Sequence, residues 1–287
     1  MLGCAGSLRH YHLHRATMKR LINQKPNKQV AWLLGLLPIV LLVTLYVVAS
    51  DARLAINPSD KLLPSFASMQ EAMARMAFEP NKRTGDYLLW VDTGSSLTRL
   101  GAGVAIAAIL GLIIGVATGA FPYARSVFSP LLTIVSLIPC LALLPILFIV
   151  LGLGEVSKIA LIVIGITPFI ARDIQQRARE IPVEQLIKAQ TLGANSAQTV
   201  SRVLLPQLMP KLINAVRLSM GTGWLFLIAA EAIASTDGLG YRIFLVRRFL
   251  SMDVIIPYVM WITLLAFTFD WLLRRLNQRL YPWEAAQ

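Results

Sequence analysis

The stretch LGAGVAIAAILGLIIGVATGAFPYA, Leu100 to Ala124, runs for 25 residues without a charged side chain. After the single Arg125 comes SVFSPLLTIVSLIPCLALLPILFIVLGLG, Ser126 to Gly154, with 29 more. A helix rises about 1.5 Å per residue, so either stretch outruns a hydrocarbon core about 30 Å thick. A third such window, Gln29 to Ser50, holds 22 uncharged residues. The whole chain agrees: of 287 residues, 56% are hydrophobic and only 15% charged, and mean hydropathy is +0.64. Soluble domains carry about 25% charged residues, and so little polar surface cannot cover a water-soluble core. The chain reads as an all-α, polytopic transmembrane helical bundle.

Working outward, the first apolar run, Ala31 to Ala49, follows Lys19, Arg20, Lys25 and Lys28. It is too long for a signal-peptide core and no clean small-x-small cleavage site follows, so a retained anchor helix is expected. The second span runs from Leu100 to about Tyr123 and the third from Ser129 to about Leu153. Three shorter apolar cores, 159–171, 218–230 and 254–269, hold 13, 13 and 16 uncharged residues. Snorkelling of Lys158, Arg172 and Arg217 completes the first two, with Glu231 accepted inside the fifth helix. About six spans result, and both termini share one side. With that side cytoplasmic, the inner segments hold 17 basic and five acidic residues, so the entire net charge of +12 lies inside. The positive-inside rule favours this orientation.

The expected organisation is a flexible cytoplasmic segment (1–30), the first transmembrane helix (31–49), a periplasmic linker with a short amphipathic helix (50–99), a core (100–280) containing a cytoplasmic loop (172–217), and a cytoplasmic tail (281–287). Met18 opens a basic stretch of its own and is an alternative start.

Several function classes drop out. The basic residues sit between apolar segments rather than on one face interleaved with aromatics, so no nucleic-acid partner is expected. Two cysteines, Cys4 and Cys140, make neither a disulfide framework nor a thiolate metal cluster. His10, His12 and His14 crowd the amino terminus without a partner acid. No metal or nucleophile constellation suggests an enzyme. No Gly-x-x-x-x-Gly-Lys-Ser/Thr phosphate loop is present. No bound cofactor is expected; if the chain belongs to a pump, ATP sits on a partner subunit.

Individual segments carry narrower expectations. Leu63 to Phe78 reads as a surface helix, because Phe66, Met69, Met73 and Met76 recur near helical spacing; it would lie against the membrane or the bundle. Gly111, Gly115 and Gly119 fall on one face of the second span and permit close helix approach, with a ligand path as the second reading. Pro139 and Pro145 should each bend or interrupt the third span. In the polar interval 172–217, a helix begins at Pro182, Gly193-Ala194-Asn195 turns the chain, and Ser196 caps a second helix to Leu205. Pro206 and Pro210 mark the return to the membrane. Trp224, Ile228, Glu231 and Ser235 share a helical face. That face either borders a solute path or gate, or Glu231 makes a structural hydrogen bond near the Gly238-Leu239-Gly240 turn. Asp270 lies four residues before Arg274, and Trp271, Tyr281 and Trp283 cluster with Arg274, Arg275 and Arg279 as an interfacial anchor.

Gly193, nine intervening residues and then Val203-Leu204-Leu205-Pro206 resembles the cytoplasmic Glu-Ala-Ala loop of binding-protein-dependent ABC transporter permeases. The three leading positions here are Ile187-Lys188-Ala189, so only the last alanine matches. The resemblance extends from about Leu88 to Leu280 and includes Ser95-Ser96-Leu97-Thr98-Arg99-Leu100 and Glu231 with Gly238-Leu239-Gly240. It is nearest to the nitrate, sulfonate and taurine branch, and within it to permeases encoded beside urea or guanidine carboxylases. The resemblance implies a type I importer fold and a permease homodimer. It also implies a cytoplasmic ABC ATPase dimer that holds ATP and receives a coupling loop of Ala189, Leu192, Gly193, Val203, Leu204, Leu205 and Pro206. A periplasmic solute-binding protein would deliver the solute. A stand-alone channel or facilitative carrier, or a non-transporting scaffold, remains the alternative.

Overall fold

The computed structural model describes residues 27–57, 60–82 and 85–283. Cys4, the three histidines and Met18 lie outside the described residues. Every regular element among those described is helical. They fall into two compact units, one ending at Ala52 and one starting at Arg53. The first unit is built from α1 (Lys28–Ile56), whose last turn belongs to the second. Trp32, Leu33, Leu41 and Leu42 leave most of their surface exposed, which suits a lipid solvent and would be costly in water.

The second unit opens with α2 (Phe66–Phe78), capped by Ser65, whose Oγ accepts from the Ser68 N–H at 3.2 Å. Its methionine stripe turns to the bundle: Met69 and Ala72 are buried, and Met73 and Met76 pack on the core. The core of the unit is the pair α3 (Leu88–Ala120) and α6 (Glu155–Glu180). Gly103, Gly111, Gly115 and Gly119 of α3 lie against Ile162, Ile170, Ile174 and Ala178 of α6, where an added Cβ would sit 2.5–2.7 Å from a neighbour. Small residues let the two backbones close up, the usual source of packing energy in lipid.

After α4 (Pro122–Leu137) the chain bends by 83° into a tight turn and α5 (Leu144–Leu151). Pro139 sits in the break. Pro145 does not interrupt anything; it occupies the first turn of α5, where a missing N–H costs nothing. The structure next departs from the expected polar interval. Residues 172–180 continue α6 without a break, because polar side chains at a membrane interface do not end a helix that its packing supports. Then follow α7 (Val183–Thr191), α8 (Ser196–Thr199), a widened helical turn over Val200–Leu204, and α9 (Leu205–Ala234). Asn195 rather than Ser196 caps α8, with a reciprocal bond from Gln198. Pro206 does not end the helix: Ser196 to Ala234 is continuous over 39 residues. The Leu205 N–H reaches back five residues to the Val200 carbonyl, and such a bulge leaves room for a proline that has no N–H to donate. The chain ends with α10 (Leu239–Arg247) and α11 (Met252–Leu280).

The span count differs from six. Among the described residues four helical stretches are long and apolar enough to cross a membrane: α1, α3, the α8–α9 rod and α11. The bent pair α4–α5 makes a fifth if it counts as one span. The remaining helix, α6, falls short because its uncharged core of 13 residues is flanked by Lys158 and Arg172. The fold is an all-α polytopic membrane bundle.

Candidate functional site

Asp92, Ser96 and Arg99 stand three to four residues apart on α3, on one face of an otherwise apolar helix, and all three are buried. Around them the unit assembles a charge network. Arg99 Nη1 donates to Glu231 Oε1 at 2.7 Å and to the Asp237 carbonyl at 3.0 Å. Its Nε and Nη2 reach Glu155 at 2.5 and 2.9 Å, and Nη2 also reaches Asp237 Oδ1 at 2.5 Å. Lys158 bridges Glu155 at 2.8 Å and Ser235 Oγ at 3.1 Å. Two turns earlier on α3, Asp92 accepts from Arg242 at 2.8 Å, the Gly238 N–H at 3.0 Å and Tyr258 Oη at 3.3 Å. Three cations thus meet four carboxylates. A buried charge is tolerated only when paired and hydrogen-bonded, and here the pairing ties together α3, α6, α9, α10 and α11.

Glu231 is completely enclosed. It accepts from Ser96 Oγ at 2.8 Å and the Gly240 N–H at 2.9 Å as well as from Arg99. The Gly238-Leu239-Gly240 turn explains why those residues are small. Gly238 has φ +115°, and a Cβ there would fall 2.5 Å from the Glu231 carboxylate. A Cβ at Gly240 would meet the Ile228 carbonyl at 2.8 Å. The face expected to border a path is therefore split. Glu231 points into the network, Ile228 is half-buried, and Trp224 is buried with its Nε1–H unpartnered among the described residues. Ser235 joins the network through Lys158.

The 181–204 loop, which joins α6 to α9, has the opposite character. The Gly193 N–H donates to the Gln190 carbonyl at 2.9 Å and the Ala194 N–H to the Ala189 carbonyl at 3.0 Å. This pair of bonds closes α7, and Gly193 has the left-handed φ of +81° that it requires. Nothing lies within 4 Å of a Cβ built there, so the glycine answers to backbone conformation and not to crowding. Leu192 is 85% exposed, and Val183 and Ile187 are more than half exposed. Leu204 differs from expectation: it is 3% exposed and packs into the core, so it anchors the loop instead of presenting it. Ala189, Val203 and Leu205 are half-buried and Pro206 is exposed. At the same end, Asp270 sits 3.3 Å from Arg217 of α9, although Arg274 lies only four residues on.

The family of binding-protein-dependent transport system inner membrane components matches residues 107–281, more than half of the chain. The chain belongs to this family. It is a multi-pass inner-membrane permease subunit of a transport system and not an enzyme. Among the described residues no group of three or more His, Cys, Asp or Glu is placed to hold a metal. The permease is 35% identical over 199 residues to the taurine transport system permease protein TauC of Escherichia coli, covering 69% of this chain and 72% of that one. It is 26% identical over 264 residues to the putative aliphatic sulfonates transport permease protein SsuC of Bacillus subtilis, covering 92% of each. In fold it is similar to a chain of an inward-facing MetNI methionine ABC transporter, with TM-score 0.60, 22% identity, and coverage of 69% of this chain and 99% of that one.

The sequence singles out Glu231 and Gly193, names Arg99 only within the stretch that carries the resemblance, and gives no role to Asp92, Glu155, Asp237 or Arg242. Lys158, expected to snorkel, is instead buried because Glu155 neutralises it. One signal was available: the polar triplet Asp92, Ser96 and Arg99 has helical spacing at the head of a long apolar run.

Proposed function

We propose that this permease passes a small polar anion, a sulfonate in the first instance, through the membrane half of an ATP-driven importer. The names of the taurine and aliphatic sulfonate relatives support that class of solute, and they lend nothing to a urea- or guanidine-type one. Two copies of the chain pair, each docks on one subunit of a cytoplasmic ATPase dimer, and a periplasmic binding protein delivers the solute. The α6 helix crosses as well, bringing the spans to six with both termini cytoplasmic. Its support is its place between α3 and α9, with Phe226 of α9 laid on Gly165. At one end Lys158 is buried and paired with Glu155, and at the other Arg172 is exposed and can snorkel.

The observation that carries the reading is the α7–α8 loop. Val183, Ile187 and Leu192 stand exposed on a glycine-turned element that also carries the exposed Lys188 and Arg202. Isolated apolar groups rimmed by charge are what a protein partner buries. The Arg99–Glu231 network is proposed as the clamp that holds the bundle while the loop moves. Trp224 is the proposed path residue, since an unused buried N–H can donate to an anion.

The test is taurine accumulation in vesicles holding the permease, its ATPase and its binding protein. Uptake should require ATP and all three components. Uptake by the permease alone would favour a stand-alone channel or carrier. For orientation, single cysteines at Lys82 and Ala194 should differ, with Lys82 labelled by an impermeant thiol reagent from outside and Ala194 protected.

A further inference from the structure

The outward face of α11 carries two adjoining features that the transport reading leaves unused. On one stretch Met260, Leu264 and Phe267, together with Met73 of α2, line an almost wholly apolar groove of 660 Å³. Toward the end of the helix Trp271, Arg274, Arg275 and Gln278 line a second hollow of 380 Å³. The residues follow one another at intervals of four, three, four and then three or four. They form a single stripe that is apolar along its length and basic at its foot. Met260, Leu264, Phe267 and Trp271 are each about half exposed or more.

The arginines at the foot are unspent. Asp270, the nearest carboxylate in sequence, is turned toward Arg217. Among the described residues no carboxylate pairs with Arg274 or Arg275, and the Arg275 guanidinium lies over the Trp271 ring at 5.1 Å. The dimensions are those of one lipid. Leu264, partway along the groove, lies 11 residues from Arg275, about 16 Å along a helix, against about 15 Å for the hydrocarbon of one leaflet. A chain running up from the arginines therefore fills the near part of the groove and stops short of Met260 and Met73.

We infer that this stripe is a binding site for an anionic phospholipid: an acyl chain in the groove, the phosphate between Arg274 and Arg275, and Trp271 at the glycerol level. Charge complementarity selects the ligand, because a zwitterionic headgroup brings its own cation to a site that already holds two. The inner leaflet as its location rests on the proposed orientation. Lipid placed in both leaflets makes the binding test independent of it, and the cysteine labelling above tests orientation separately.

The experiment reconstitutes the full-length chain in phosphatidylcholine vesicles containing a minority of brominated phosphatidylglycerol or of brominated phosphatidylcholine. Quenching of tryptophan fluorescence is then followed against the brominated fraction. Phosphatidylglycerol should quench at a much lower fraction than phosphatidylcholine, and Trp271→Phe should remove that high-affinity component. At about fivefold per basic residue, Arg274→Gln with Arg275→Gln should lower the preference about 25-fold. Should the double variant not fold, the wild-type comparison and Trp271→Phe still decide. Equal quenching by the two lipids, or a preference that survives the arginine substitutions, would overturn the inference. So would relief of quenching by inorganic phosphate, which would mark a free-anion site. Disulfide formation between two copies carrying Leu264→Cys would also overturn it, by showing that a second permease covers the face.

Discussion

The two ends of α9 solve opposite problems. At its carboxyl end, Glu231 is fully enclosed, and its carboxylate is held by Arg99, Ser96 and the Gly240 N–H. Before its amino end, Leu192 is almost fully exposed on a loop held chiefly by its own backbone bonds. The first region uses expensive groups that are stable only together, so removing one should unfold the protein before it alters transport. The second uses inexpensive groups whose surface is unfinished, so removing one should leave the protein folded and alter what it binds. On the proposed reading, burial sorts the polar and apolar residues of this permease into those that hold it together and those that face a partner.

The largest effect should come from Arg99→Met, which leaves the enclosed Glu231 without its counter-charge and takes one cation from Glu155 and Asp237. Breaking a buried pair costs about 3–5 kcal/mol, and membrane abundance and thermal stability in mild detergent should both collapse. Glu231→Gln should cost less, about 1–3 kcal/mol, because Arg99 keeps Glu155 and Asp237 while the amide retains part of the hydrogen bonding. Transport per folded molecule should then stay near wild type. Normal abundance with lost transport would instead make Glu231 a gate and break the comparison.

Much of this contrast was readable in advance, and the failures share a cause. Gly111, Gly115 and Gly119 announce a packed face, and Gly193 with Pro206 marks the loop, because each is a local pattern within one or two turns. The network is not local: Arg99 is 56 residues from Glu155 and 132 from Glu231, and no period links them. The continuity of the helix through Pro206 was hidden for a related reason. A proline reads as a break, and only the five-residue reach from Leu205 to Val200 shows how the helix absorbs it. Likewise Asp270, four residues from Arg274, turns to Arg217 on another helix.

At the loop end the expected effects on stability are small. Gly193→Val forces a β-branched residue into a left-handed backbone at about 1–2 kcal/mol, confined to a surface turn. Abundance should hold, while ATPase copurification weakens or hydrolysis uncouples from transport; wild-type values in all three assays would remove Gly193 from the coupling. Smallest of all, Leu192→Ser should change stability by no more than about 0.5 kcal/mol and still reduce ATPase retention.

The central claim, that the α7–α8 loop is where the ATPase docks, is tested most directly by cross-linking. A single cysteine at Leu192, in a chain lacking Cys4 and Cys140, is treated with a short bifunctional thiol reagent in the assembled transporter. The account predicts a permease–ATPase adduct from Leu192 and none from a cysteine at Thr236, beside the buried network. An intact complex that gives no adduct from Leu192, or gives one from Thr236, would contradict it.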